Sequence, residues 1–426
     1  MKNRLRRFVS SLLGCILLQL ADPAIGYPAD RYIPVALKEG TEINIKVADA
    51  SGSLLVVWFI DHDEVRPQFE SMLKAINASG IELWRVDLLA DYFLPRSNEN
   101  IRTLPGEGVA AVIEAAHQHS DKTIVLAAYD RMPLVLLRGV REWSAAFKRH
   151  SRLAGSIFYY PNLFGPPPVA GEEPVLDPVV AASNYPAVIV QPETGSQRWR
   201  LNEVLQSFWS SGAPVYASLA AEVRDWFFMH PPGIDPRETR ATAAVPGEIV
   251  KFASLMQAEP KPESIIAIDT SSPSGTGIRG LVPFTNRSPA PPLTLPDLEG
   301  RALFSGYQQQ LTLINFWATW CPPCVEELPS LNRLKQRFAG RPFNLVSVDF
   351  RESRAELRQF IKNIPVDFPI LLDIDGRASL AWRVFSFPSS FLVDHNGNIR
   401  YSINRAIDWD TQEVYAVIEA LLEEVE

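Results

Sequence analysis

The chain has 426 residues, 46% hydrophobic and 21% charged, enough for two or three globular domains. Its formal net charge is -8, and no cluster of Lys and Arg occurs beyond the first residues, which argues against nucleic acid as a partner. Of the three cysteines, Cys15 lies near the start and Cys321 and Cys324 are three positions apart.

The first residues are basic (Met1 to Arg7) and are followed by an apolar run from Phe8 to Ala21. That run is shorter than the roughly 20 residues a membrane span requires, and it fits a secretory signal peptide over residues 1–26. Ala24 and Gly26 supply the small residues a signal peptidase reads, placing the mature start at Tyr27. Leu12-Leu13-Gly14-Cys15 also fits a lipobox, and an uncleaved anchor is a further alternative. Each version predicts a periplasmic or otherwise extracytoplasmic protein, and after signal removal the chain is expected to have no membrane span.

Residues 27–257 read as a succession of strands and helices. Leu54 to Ile60 is a continuous apolar run, suited to a strand covered on both faces. A helix follows with Phe69, Met72, Leu73 and Ile76 on one face, then a strand from Glu82 to Leu89 and a helix around Val109 to Ala116. The pattern continues with a strand Thr123 to Ala128, a helix Leu134 to Phe147, and strands Gly155 to Tyr160 and Ala187 to Val190. A helix Leu201 to Trp209 and a strand Pro214 to Leu219 complete the series. Alternation of this kind predicts an α/β domain with a mainly parallel sheet.

In its order of elements this part resembles the α/β-hydrolases and is similar to their VirJ-type branch. The resemblance implies a nucleophile turn after the Thr123 strand, but Asp130 stands in the place of the serine in Ala128-Tyr129-Asp130-Arg131-Met132, and the flanking glycines are missing. Asp61-His62-Asp63-Glu64 replaces the Gly-rich segment of an oxyanion hole with acidic residues, which would oppose a developing negative charge. Glu193 and His230 fall where the acid and the base would come. The favoured reading is a degenerate site in a non-catalytic binding or docking module, with Glu193 and His230 as ordinary turn and loop residues. Tyr159-Tyr160-Pro161 and Trp226-Phe227-Phe228 read as contact surface or as core, with core preferred for the Trp226 group.

Residues 258–288 are rich in Pro, Ser, Gly and Thr and read as a linker, in which Ile265 to Ile268 could add a short edge strand. Then comes Leu311 to Pro329. Its β-favouring residues Leu311, Leu313, Ile314, Phe316 and Trp317 end in Cys321-Pro322-Pro323-Cys324, and apolar residues resume at helical spacing through Leu328, Leu331, Leu334 and Phe338. That is strand, tight junction, helix. Cys321 therefore stands at a helix N-terminus, where free backbone N–H groups and the helix dipole favour the thiolate that attacks disulfides. Cys324, one turn further in, is assigned the resolving role. The competing reading, half of a zinc site, needs a second ligand pair that the sequence does not offer, so no metal is expected. In an exported chain this lone pair closes too short a loop to stabilise much, so its value is chemical.

Residues 289–426 resemble the TlpA/ResA kind of extracytoplasmic thiol-disulfide oxidoreductase, through the lead-in from Pro291 to Arg301, Asn315 to Cys324, Glu327 and Pro329, and Ser386 to Arg400. The resemblance implies a thioredoxin fold, a cis peptide before Pro388, and a docking surface to which Phe387 and Pro388 contribute, with Trp320 as a further supporting residue. Glu327 matches a carboxylate placed near the dithiol; its ordinary reading is a solvated helix residue like Glu326. Asn315 matches the residue usual in this extracytoplasmic branch. Beyond the dithiol helix, a strand at Phe343 to Phe350, a helix marked by Leu357, Phe360 and Ile361, a strand at Pro369 to Leu372, a hairpin of Ser390 to Asp394 with Ile399 to Ile403, and a last helix with Val414, Val417, Ile418, Leu421 and Leu422 on one face are expected.

These features predict an exported oxidoreductase that reduces disulfide-containing protein substrates, with Cys321 attacking and Cys324 resolving, and with no cofactor. By resemblance, a membrane thiol carrier is the electron donor. The alternatives are an esterase-like hydrolase carrying a thioredoxin appendage, and a non-catalytic adaptor with a regulatory dithiol.

Overall fold

The structure, a computed structural model, describes residues 31–62, 65–147, 152–166, 171–231, 233, 235–269, 281–284, 289–301 and 310–424. The signal-peptide, lipobox and anchor expectations fall outside these residues. No helix among the described residues is long and apolar enough to cross a membrane.

The N-terminal part is built on a sheet of eight strands: β1 (Arg31–Ala36), β2 (Glu42–Ala48), β3 (Leu54–Phe59), β4 (Glu82–Val86), β5 (Thr123–Tyr129), β6 (Leu153–Tyr159), β7 (Ala187–Pro192) and β8 (Val215–Ala220). Their spatial order is β1-β2-β4-β3-β5-β6-β7-β8, and from β4 to β8 every pairing is parallel. The alternation of side chains across a strand explains why β3 is apolar throughout. Leu55, Val57 and Phe59 join one core with the helices Glu107–His119 and Met132–Ala146, while Val56 and Trp58 join another with the helices Pro67–Ala78 and Pro236–Ala258.

Three local expectations change. β1 and β2 form an antiparallel hairpin that the sequence reading did not include; in β2 only alternate residues (Ile43, Ile45, Val47) are buried, a half-buried pattern weaker than that of β3. The expected strand through Leu89 ends at Val86, and Leu88–Asp91 is a helical turn whose cap is Asp87, accepting the N–H of Ala90 at 3.2 Å. Ile265 to Ile268 is no strand; the short strand lies later, at β9 (Val282–Pro283), inside the stretch read as linker.

β9 edges the second sheet, formed with β10 (Leu311–Trp317), β11 (Phe343–Phe350), β12 (Ile370–Asp373), β13 (Ser389–Val393) and β14 (Ile399–Ile403) in the order β12-β11-β10-β13-β14-β9. β10 is central, parallel to β11 and antiparallel to β13, and every one of its residues is buried. This is the thioredoxin fold.

The two sheets are joined by more than the chain. Phe385 of the C-terminal part is buried in the N-terminal core, 5.3 Å from Phe164 ring to ring, and such burial contributes about 1.5–3 kcal/mol. Gln197 donates its side-chain N–H to the Phe385 carbonyl at 3.2 Å, and Arg351 donates to the Glu193 carbonyl at 3.2 Å.

Candidate active site

β10 ends at Trp317, and the chain turns through Thr319 and Trp320 into the helix Pro322–Arg337, with Cys321 as its N-cap. Prolines at the first two helical positions cost nothing in lost hydrogen bonds, because the N–H groups there have no intrahelical partner. Cys321 Sγ accepts the Cys324 N–H at 3.3 Å, and the two cysteines form a disulfide with Cα atoms 5.3 Å apart. Cys321 is 5% exposed and Cys324 fully buried, so an incoming sulfur meets Cys321 first. The Phe387–Pro388 peptide is cis, and Phe387 stands beside Trp320 at 5.9 Å.

Glu327 is buried, unlike the exposed Glu326. It lies one turn beyond Cys324 on the same helix. Its carboxylate accepts hydrogen bonds from Asn315 Nδ2 at 2.7 Å, Trp409 Nε1 at 3.1 Å and the Ile407 N–H at 3.4 Å. Burial outweighs those donors and pushes its pKa up to about 7. A carboxyl group poised there exchanges protons readily near neutral pH, the property required of a group that takes the proton from a buried thiol. Asn315 also donates to Ser390 Oγ at 3.0 Å, tying the central strand to β13 behind the dithiol.

The mouth of the dithiol is walled by the N-terminal domain. A cleft of about 160 Å³ is lined on one side by Trp320, Cys321, Pro322, Pro323 and Phe387, and on the other by Asp130, Tyr160, Asn162, Gln197, Asp225, Trp226 and His230. Trp226 faces Trp320 at 5.9 Å and Tyr160 at 5.5 Å. Below the aromatics a polar chain crosses the boundary. Glu352 accepts the N–H and hydroxyl of Thr319, both at 2.5 Å, and pairs with Arg224 at 3.3 Å; Arg224 Nε reaches Glu238 at 3.0 Å, and Glu238 meets His230 Nδ1 at 2.8 Å.

The AhpC/TSA family profile matches residues 287–402. The thiol-disulfide oxidoreductase ResA of Geobacillus kaustophilus is 32% identical over 117 residues, 27% of this chain and 67% of that protein. Through its C-terminal domain the chain belongs to the ResA-like thiol-disulfide oxidoreductases. ResA of Bacillus thuringiensis subsp. konkukian is 30% identical over 111 residues, which span 26% of this chain and 64% of that relative's length. A secreted Mycobacterium tuberculosis disulfide oxidoreductase of known structure is 23% identical, covering 30% of this chain and 96% of that one with a TM-score of 0.28.

What faces the ResA-like dithiol differs in part from the sequence expectation. Asp130 does follow β5 in a tight turn, with φ +48°, a left-handed conformation uncommon for a residue with a side chain. It pairs with Arg131 at 2.6 Å. The backbone N–H groups of Arg131 and Met132 point at Asp61 Oδ2, at 2.9 and 2.5 Å, while Asp61 Oδ1 bonds to the His62 N–H at 2.6 Å and to the His62 ring. Burial raises the Asp61 pKa, but the contacts to His62 and the charge of Arg131 overcome it, and the group is held below the usual carboxylate range. Asp61, His62 and Asp130 offer atoms within 4.8 Å of one another, yet these internal bonds already engage the two carboxylates.

Glu193 does not stand opposite His230. It is exposed and accepts the Glu222 N–H at 3.0 Å; the partner of His230 is Glu238, in the first turn of Pro236–Ala258. Sequence reasoning missed Arg224, Asp225, Glu238 and Glu352, and the cap motif Asp235-Pro236 was the one local signal that a helix, and hence Glu238, begins there. Tyr160 and Phe228 are buried as core residues, whereas Trp226 turns its ring to the cleft.

Proposed function

We propose that the chain is an exported oxidoreductase that reduces protein disulfides through Cys321 and Cys324, and that its N-terminal domain is an α/β-hydrolase-like module turned from hydrolysis to presenting the substrate. The observation that carries the first part is the asymmetry of the pair: Cys321 opens to a cleft, and Cys324 is sealed one turn from a carboxyl group with a pKa of about 7. The hydrolase-like reading of the N-terminal module rests on its strand order and on the turn at Asp130.

In the reduced enzyme the Cys321 thiolate attacks one sulfur of the substrate disulfide. A bond forms between the two sulfurs, and the other substrate sulfur leaves as a thiolate and takes a proton. Cys324 gives its proton to Glu327 and attacks Cys321 Sγ, which closes the Cys321–Cys324 disulfide and releases the second substrate thiol. Two electrons have passed to the substrate, and an external dithiol, by family resemblance a membrane thiol carrier, must return them. Trp320, Phe387 and Pro388 form the surface along which the substrate lies.

The test is trapping in the native compartment. Cys324→Ser should accumulate mixed disulfides through Cys321, and Cys321→Ser should abolish insulin reduction. Equal insulin reduction by wild type and Cys321→Ser would refute the assignment.

A further inference from the structure

The turn that leads into the dithiol is held from the other domain. β11 ends at Phe350, Arg351 takes the left-handed conformation uncommon for a residue with a side chain, at φ +59°, and Glu352 next to it is only 1% exposed. Its carboxylate accepts the N–H and the hydroxyl of Thr319, two residues before Cys321, and the Cys321 N–H closes the same turn on the Ala318 carbonyl at 3.2 Å. The cation paired with Glu352 is Arg224 of the N-terminal part, at 3.3 Å. Trp226, two residues on, stands against Trp320. Arg224 and Trp226 thus reach both residues that precede Cys321, one through a carboxylate and one by ring contact. Burial and the charge of Glu352 push the Asp349 pKa well up, which favours its neutral form, so the charge beside Thr319 is that of Glu352.

We propose that Arg224 is a positioning residue of the dithiol centre: by neutralising the carboxylate that holds Thr319 it keeps the Cys321 thiol easy to ionise, so the N-terminal module is part of the oxidoreductase machinery. The proposal rests on the oxidoreductase reading above. A carboxylate out of water keeps its field, because neither solvent nor salt screens it well. Uncompensated, it opposes a second negative charge on the sulfur and holds the proton on Cys321. With the guanidinium beside it the two fields largely cancel, and the helix N-terminus acts on the sulfur unopposed. Arg224 suits the task because its nitrogens fork, Nη1 to Glu352 and Nε to Glu238, and Glu238 in turn meets His230. Glu356 also approaches Arg224, at 3.9 Å, from an exposed position. The other charged groups facing Cys321 are His62, Arg66, Asp130, Arg131, Asp225 and His230 across the cleft, and Glu327 one turn beyond Cys324 on its own helix. None of them is substituted in the comparison below.

The experiment uses the full chain, reduced and desalted, and follows alkylation of Cys321 by iodoacetamide across the pH range in which thiols ionise, with tandem mass spectrometry to separate its label from that of Cys324. Arg224→Met should raise the midpoint of the Cys321 profile by about one pH unit, and so slow alkylation at neutral pH about tenfold. Glu352→Gln keeps an acceptor for Thr319 and removes the charge, so its midpoint should fall below that of wild type. Arg224→Met combined with Glu352→Gln removes both charges and should return the midpoint close to wild type. A role in folding alone would not move the two single variants in opposite directions and restore the double one. If Arg224→Met folds poorly, the step from Glu352→Gln to the double variant carries the same test, because no charge is then left at position 352. Equal midpoints in those two variants, or a shift of the same sign in both single variants, overturn the proposal. A wild type that does not reduce insulin refutes the oxidoreductase reading and this proposal with it, whereas unchanged midpoints in a chain that reduces insulin refute the role of Arg224 alone.

Discussion

Asp61 Oδ2 accepts the backbone N–H of Arg131 at 2.9 Å, so the first donor of the turn after β5 is committed to a carboxylate of the same domain. Met132, the next residue, gives its N–H to the same oxygen. These two N–H groups open the helix Met132–Ala146 and are the donors an oxyanion would need. A second negative charge brought there would be repelled by the first. The relationship supports the proposed reading of binding over hydrolysis for the N-terminal part.

One consequence is absence of esterase chemistry. Wild type is expected to hydrolyse p-nitrophenyl acetate no faster than buffer, and turnover that vanished in Asp130→Ala would contradict this. Asp61→Ala should lower stability by about 1.5–3 kcal/mol, the usual contribution of hydrogen bonds to a charged group, as read from the urea midpoint. Since the Asp61 pKa is held below its ordinary 3.8, its contribution is present above that pH and is lost only as the solution is acidified through the lower folded value.

Glu327 has the opposite sign. With a folded pKa of about 7 against an ordinary 4.5, the native state holds a proton that the unfolded chain has released, so stability declines as pH rises from 4.5 to 7. The decline amounts to about 3 kcal/mol at most. Glu327→Gln should remove most of the difference between unfolding midpoints at acidic and mildly alkaline pH. The same variant should slow closure of the Cys321–Cys324 disulfide by about a hundredfold and abolish the rise of that rate through neutrality, measured by quenched alkylation after mixing with substrate. A closure rate that kept its pH profile would remove Glu327 from the proton path.

Arg224 lies between two buried carboxylates, Glu238 and Glu352, and binds them through different nitrogens. Arg224→Met is expected to destabilise the chain by about 3–5 kcal/mol, because both acids would stay buried without their cation. Arg224→Lys should recover only part of that, since an ammonium cannot hold both acids in the forked geometry. Chemical denaturation of the two variants measures the difference.

Trp226 has φ +57° and projects its ring toward Trp320. Trp226→Gly removes the ring and places at that position the residue that adopts such a conformation freely. Alkylation of Cys321 in the reduced protein should accelerate several-fold while Cys324 remains protected, and mass spectrometry of the modified peptides reads both. Unchanged labelling of Cys321 would show that the N-terminal wall does not limit access.

Much of the C-terminal domain was legible because its signals are local. The apolar run of β10, the two prolines after Cys321 and the alternation of β11 each lie within a few residues, and β11 has the bounds the sequence predicted. Where the signal was weaker the reading slipped. The β1–β2 hairpin has one buried face, and the helix Pro236–Ala258 carries a proline and many polar residues, so neither showed the strong periodicity of β3.

By itself the sequence determined the dithiol, the order of its strand and helix, and an aspartate and no serine at position 130, since these are matters of residue identity and short spacing. Only the tertiary structure decided that Glu327 is buried, that His230 pairs with Glu238, and that Arg224 reaches Glu352 across 128 positions of chain. Burial and long-range charge pairing arise when two sheets pack and exclude water. Local propensities do not encode which distant side chains that packing brings together.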